Sequence, residues 1–305
     1  MLYRRLGKTD LKVSVVGVGT WQLGGAWGKE FALPEVKEMF AAAKDCGINL
    51  IDTAECYGDH TSERLIGEAL EAEREEWIIA SKFGHNRGVD QAPELNWQAG
   101  EVKKQFDESL KSLRTDYVDI LQFHSGNDEY FDNDELWSML KGEVDAGRIR
   151  HLGISIGSNQ NVYQTDKSSE VNASVIQVVY NRINRAPEEA VFSSCQRQDL
   201  GVLARVPLAS GYLSGKYQSG ARWDEGDVRH RRSHDDIDKA LSEVAEIKAN
   251  EVPDGVSMAS WALAWCLRHP AVSSVIPGCK SVEQIRTNAE AAALAESNHP
   301  QAWKD

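Results

Sequence analysis

The sequence predicts an α/β fold in which eight strands alternate with helices, the strand count of a (β/α)8 TIM barrel. Short apolar runs and helix-period patterns take turns from end to end. No Pro/Gly/Ser linker, low-complexity tract or short-period repeat breaks the alternation. The 305 residues suit one barrel of about 250 residues with insertions, so residues 1–305 read as a single domain.

The elements follow in order. Residues 2–6 and 11–15 read as an N-terminal hairpin around Gly7–Asp10, placed to cap the barrel floor. Strands are expected at 15–19, 49–52, 77–82, 117–123, 149–154, 175–179, 201–206 and 273–277. Helices are expected at 34–46, 62–72, 97–113, 132–146, 159–168, 187–198 and 256–269. Pro34 opens the first helix, where its missing N–H costs nothing, and Cys46-Gly47 closes it. Residues 216–250 exceed an ordinary connection and read as an insertion with its own helix at 236–249. A further helix at 281–295 follows the last strand, so extra helices come after strands 7 and 8. WALAWCLRHP (Trp261–Pro270) is expected to pack on the barrel, and NRINR (Asn181–Arg185) to fix a loop at its rim.

Composition excludes several classes. A net charge of −13 is unsuited to a nucleic-acid partner. No apolar run approaches the roughly 20 residues of a membrane span, and MLYRRLGKTD lacks the apolar core of a signal peptide. The five cysteines are odd in number and widely spaced, which points to reduced thiols in a cytoplasm. Cys56, beside Tyr57, is expected to be a buried, inert thiol. The histidines show no metal-ligand spacing, so no metal site is expected. The basic cluster VRHRRSHDD (Val228–Asp236) reads as a solvated loop, with a lid near cofactor phosphates as the alternative.

The stretch Asn49–Arg64, NLIDTAECYGDHTSER, concentrates the chemistry. An apolar strand ends in Asp52, and Tyr57 follows in the loop. A phenol, with a reference pKa of about 10, serves as a proton donor only if its anion is stabilised. Two later apolar runs supply candidates: WIIASKFG ends near Lys82 and YVDILQFH ends in His124. In a parallel α/β protein such strand ends share one face. An ammonium beside the phenol is expected to lower its pKa, a carboxylate to hold the ammonium, and the histidine to donate to a substrate oxygen. HNRG, directly after Phe83-Gly84, lies close enough in sequence to reach the same pocket.

In IDTAECYG with TSE behind it, ASKFG and LQFH, in that order, the chain resembles the aldo-keto reductase superfamily over nearly its whole length. The resemblance implies a barrel that uses NADPH or NADH without a Rossmann domain. VVGVGTWQLGG agrees, since Gly17 and Gly19 are not followed by the third glycine of that fingerprint; Gln22 stands there. It also implies Tyr57 as general acid/base, supported by Asp52, Lys82 and His124. By the same resemblance Gly19 and Thr20 approach the cofactor, Trp21 lines the substrate pocket, and Ser155 and Gln177 bond the nicotinamide carboxamide. The loop PLASGYLSGKY is the family's pyrophosphate loop, through Pro207, Leu208, Ala209, Gly211, Leu213, Gly215 and Lys216. IPGCKSVEQIRTNAE resembles the adenosine segment, with Gly278, Lys280, Gln284 and Asn288 as contacts and Lys280 facing a 2′-phosphate.

The chain departs from the family pattern at Ile156, where an asparagine is frequent, at Thr287, where glutamate is common, and at Arg205. Arg205 occupies the place of a tyrosine that stacks on the nicotinamide, and is expected to serve the cofactor site or turn toward substrate or phosphate. The expected activity is hydride exchange between NADPH and a small carbonyl or sugar, with the oligomeric state open. A regulatory subunit resembling potassium-channel beta subunits is the alternative. A lyase or isomerase with a Schiff base on Lys82 is a second one.

Overall fold

In the computed structural model, which describes residues 1–85, 96–296 and 298–304, the eight expected strands are parallel neighbours in one sheet. Two short antiparallel strands precede them, β1 (Tyr3–Arg5) and β2 (Lys12–Ser14). The sheet strands are β3 (Val18–Gly19), β4 (Leu50–Asp52), β5 (Ile78–Phe83), β6 (Val118–His124), β7 (Ile149–Ser155), β8 (Ala173–Val179), β9 (Gly201–Arg205) and β10 (Ser274–Val275), paired in chain order. Parallel bridges Val16–Val275 and Gly19–Gly278 join the first strand to the last and close the ring. Closure leaves no edge strand exposed.

The helices surround this ring: α1 (Leu33–Asp45), α2 (Thr61–Leu70), α3 (Ala99–Ser112), the one-turn α4 (Asp128–Phe131), α5 (Asp134–Asp145), α6 (Val162–Asp166) and α7 (Val191–Arg197). They continue with α8 (His234–Glu251), α9 (Met258–Leu267), α10 (Val282–Ala289) and α11 (Ala291–Leu294). The caps explain several starts: Asn133, Ser233, Ser257 and Ser281 each accept a bond from the backbone N–H three residues on. The tail helix expected over 281–295 is broken at Glu290 into α10 and α11. The helix of the 216–250 insertion forms as α8, and no helix among the described residues is long and apolar enough to cross a membrane.

Strand side chains alternate between the two faces of the ring. Ile51, Ile79, Leu121, Ile154, Ile176 and Val202 point outward into the helix layer. Leu50, Ala80, Ile120, Val175, Leu203 and Ile276 point inward and form an apolar floor. The hairpin plugs that floor with Leu6, Leu11 and Val13. Gly201 is required there, since a Cβ on it would lie 2.6 Å from the Leu6 side chain. Two residues further along each strand, the inward positions become Asp52, Lys82, Gln122 and Gln177, so the upper barrel is polar.

Leu6 is fully buried at the plug. Leu6→Ala should destabilise the fold by about 2–5 kcal/mol, read as a lowered denaturation midpoint with the strand signal of the native circular-dichroism spectrum retained.

Candidate active site

Lys82 sits at the barrel axis with almost no exposure. Its Nζ donates to Asp52 Oδ1 at 2.8 Å, to the Thr53 carbonyl at 2.6 Å and to the Tyr57 hydroxyl at 3.1 Å. A buried charge is tolerated only when paired and hydrogen-bonded, and Asp52 meets that need from its other side. Gln177 Nε2 donates to Asp52 Oδ2 at 2.6 Å, and Gln122 Nε2 at 3.3 Å. Gln122 was given no role from sequence. Its place two residues before His124, on the same inward face, is the signal that marks it.

Protonation follows from burial as much as from charge. Burial works to push the Lys82 ammonium down, but Asp52 and Tyr57 outweigh it and the net shift is up. That is the reverse of what a Schiff-base lysine needs, which argues against the lyase or isomerase alternative. Burial pushes the Tyr57 hydroxyl up; Lys82 pulls it down and Asp52 pushes it further up, leaving it at about 12. The expected lowering of this phenol is therefore corrected: the ammonium acts in the expected direction, and desolvation of the phenolate exceeds it. His124 is driven well below the usual imidazole range by burial, then by His85, Lys82 and Arg205, so it is a neutral hydrogen-bonding group.

Around the hydroxyl, Trp21 lies along Tyr57 with ring centroids 6.2 Å apart, and His124 stands edge-on at 6.2 Å. His85 stacks on His124 at 4.4 Å between centroids, nearly parallel at 10°. Its backbone is pinned from both sides: the N–H donates to Glu55 Oε1 at 2.9 Å, and the carbonyl accepts from Gln105 Nε2 at 2.8 Å. Of HNRG, only His85 falls within the described residues. The sequence showed no metal spacing because Cys56, His85 and His124 come from three different loops and strand ends. Their ligand atoms nonetheless lie within 4.8 Å of one another.

A cavity of about 620 Å³ extends from this centre across the barrel mouth, within the roughly 300–1,000 Å³ range of small-molecule sites. Gly19, Thr20, Trp21, Asp52, Tyr57 and His124 line one end, with Gln177 and Arg205 beside them. Lys280, Gln284 and Asn288 line a further part of it, and Gly278 lies against Gly19. Pro207, Leu208, Gly211 and Lys216 lie along its wall. Ser155 is buried just beneath, its hydroxyl donating to Gln177 Oε1 at 3.4 Å. Ala209, Leu213 and Gly215 do not reach the cavity. Leu213 is buried against Ile237 and Leu241 of α8, Ala209 packs on the same cluster, and Gly215 caps a short turn beneath Met258.

These residues suit a dinucleotide. The loop after β9 holds Val206, Ala209 and Ser210 at positive φ, 53°, 48° and 58°. This backbone is costly for residues with a Cβ, above all for branched Val206, and such strain gathers where a ligand is held. A Cβ on Gly19 would lie 2.8 Å from the Ile276 carbonyl, so that rim stays bare backbone. Ser281 caps α10, and Lys280 donates through Nζ to the Trp27 carbonyl. Arg205 is half-buried: one guanidinium N–H reaches the Ile156 carbonyl at 3.2 Å, while Nε has no partner among the described residues. Arg205 lines the cavity.

The insertion differs from expectation. Val228–Arg231 is a short 3-10 turn, and Arg229 is 5% exposed, so this stretch is not a solvated loop throughout. Arg229 pairs with Asp227 at 2.7 Å and stacks on Trp223 at 4.4 Å. Asp227 bridges to Trp27, and the Val228 N–H donates to the Ala26 carbonyl, so the insertion folds over the Lys280 side of the cavity. Trp27 carried no sequence signal, and Arg229 was marked only as part of the basic cluster, because their meeting needs this fold-over. Asn181 fixes the rim loop as expected, accepting from Ile183 and Asn184 and donating to the Val206 carbonyl. The five cysteines are unpaired.

Comparison with known proteins agrees with this architecture. The Aldo/keto reductase family matches residues 15–301, and the chain belongs to that family. Among its relatives, an uncharacterized oxidoreductase of Bacillus subtilis, YqkF, is 31% identical over 96% of this chain and 91% of its own length. A probable voltage-gated potassium channel subunit beta of Arabidopsis thaliana is 30% identical over 95% of this chain and 91% of its own. The solved holo form of aldo-keto reductase AKR11C1 from Bacillus halodurans superposes with a TM-score of 0.79 at 28% identity, covering 95% of this chain and 90% of that one. The chain is thus an aldo-keto reductase-family oxidoreductase with a (β/α)8 barrel.

Glu55 lies behind the His85 anchor, 1% exposed, with its carboxyl pushed up to about 8 by burial. A folded-state pKa above the unfolded value near 4.5 means the folded form holds a proton that the unfolded form loses. Stability should therefore fall by on the order of a few kcal/mol as pH rises from about 4.5 to 8. Glu55→Gln should flatten that slope in urea unfolding followed across the same window.

Proposed function

We propose that this chain is an NADPH-dependent carbonyl reductase in which Tyr57 is the general acid. The observation that carries the reading is the Asp52–Lys82–Tyr57 chain of hydrogen bonds, 2.8 and 3.1 Å long, ending at the cavity beside His124. Bound nicotinamide supplies the hydride that the carbonyl carbon takes up. His124, neutral, donates a hydrogen bond that orients the carbonyl oxygen. Tyr57 gives its proton to that oxygen as negative charge develops there. Lys82 stabilises the phenolate left behind, and Asp52 holds the ammonium in place. With the phenol protonated at neutral pH, the resting state serves reduction; oxidation of an alcohol first requires the phenolate.

The cofactor reading rests on the same cavity. Ser155 and Gln177 are proposed to bind the carboxamide, the strained loop from Val206 to Gly211 the pyrophosphate, and Gln284 and Asn288 the adenosine. Lys280 is proposed to pair with the 2′-phosphate, favouring NADPH over NADH. The substrate class is a small aldehyde, ketone or sugar, and the proposed setting is cytoplasmic. Likeness to the probable channel beta subunit supports a second reading, a cofactor-binding subunit that acts by assembly. A turnover assay with a panel of aldehydes and aldoses in both directions separates the two, since the second predicts binding without turnover.

Tyr57→Phe should lower kcat by about 10²–10⁴-fold while NADPH still quenches tryptophan fluorescence with nearly the wild-type Kd; retention of most of the rate would remove Tyr57 from the mechanism. Lys280→Ala should raise the Kd for NADPH about tenfold or more, the worth of a charged hydrogen bond, and leave the Kd for NADH nearly unchanged.

A further inference from the structure

Beside Tyr57, three metal-ligating side chains meet that the proposed reaction uses only in part. Cys56 Sγ lies 3.7 Å from His124 Nδ1. A Zn–S bond of about 2.3 Å and a Zn–N bond of about 2.1 Å at a tetrahedral angle put sulfur and nitrogen about 3.6 Å apart. The pair therefore already has the bite of a zinc chelate. His85 supplies a third nitrogen, all three ligand atoms lying within 4.8 Å of one another. The three residues line the open cavity, so an ion has a path in and a free position for water. The backbone of His85, anchored through Glu55 and Gln105, holds the third ligand at the site.

We propose that Cys56, His85 and His124 bind a thiophilic divalent cation, Zn2+ foremost, and that the bound ion stops carbonyl reduction. The S–H bond of Cys56 breaks as the Zn–S bond forms, and the proton passes to water. The imidazoles bind through neutral nitrogen lone pairs, and no electrons are transferred. A lone pair lies in the plane of its ring, so two rings stacked face to face cannot both point at one ion. Binding therefore draws His85 out of its stack on His124. Bound at Nδ1 of His124, the ion fills the room beside Tyr57 that the carbonyl needs, and with the Cys56 thiolate it leaves one net positive charge there. The inhibitory half of the proposal rests on the function given above; the binding half does not.

The test uses the whole chain. Co2+ in place of Zn2+ should give a thiolate-to-cobalt charge-transfer band in the near ultraviolet. The band should vanish in Cys56→Ser, weaken or shift in His85→Ala, and persist in the control Cys46→Ser. Micromolar Zn2+ should abolish NADPH oxidation by an aldehyde, and EDTA should restore it. Cys56→Ser and His85→Ala should each need at least an order of magnitude more Zn2+, relative to their own metal-free rates. No band with the wild-type chain, or a band retained in Cys56→Ser, overturns the site. A band in the wild type with Zn2+-insensitive turnover overturns the inhibition. Should the chain turn over no carbonyl, the cobalt spectrum still decides the site alone.

Discussion

The site depends on an ammonium and a carboxylate held together inside a barrel whose lower half is apolar. Lys82 and Asp52 are both nearly excluded from water, and each alone would be a costly buried charge. Together they are tolerable because every remaining direction is occupied: the Thr53 carbonyl and the Tyr57 hydroxyl on the lysine, two glutamine amides on the aspartate. The polar layer is thus a hydrogen-bond network that runs from the glutamines through the ion pair to the phenol. Loosening any member leaves a buried group unsatisfied, so the network fixes where the phenol points.

The fold provides the two surfaces this network needs. Below it, the hairpin drives Leu6, Leu11 and Val13 into the floor and keeps water from reaching the ion pair from beneath. Above it, the β3, β4, β6 and β9 ends open to one cavity. The insertion closes the far side by crossing to Trp27, which turns an open rim into a roofed groove. Strain in the loop after β9 lies along the wall of the cavity.

Burial decides the protonation states. Counting neighbours alone, Tyr57 beside Lys82 reads as an acidified phenol. In place, desolvation outweighs the ammonium and the phenol stays protonated at neutral pH. The same effect, aided by His85, Lys82 and Arg205, keeps His124 neutral. A proton donor and a neutral hydrogen-bond donor at one cavity wall suit reduction of a carbonyl better than its reverse.

The barrel was legible in the chain because alternation of strand and helix is a local property, written in side-chain periodicity and in punctuation such as Pro34 and Gly47. So were Asp52, Lys82 and His124, since a polar residue closing an apolar strand must lie at its end. The tertiary structure alone decided what depends on distance between remote segments. It showed that Gln122 completes the carboxylate's shell and that Arg229 is buried under Trp27 rather than solvated. It turned Leu213 into an α8 packing contact rather than a cavity wall, and brought Cys56, His85 and His124 together. The physical reason is common to all of these: burial and proximity are set by which elements the ring of strands brings side by side, and no window of sequence contains that.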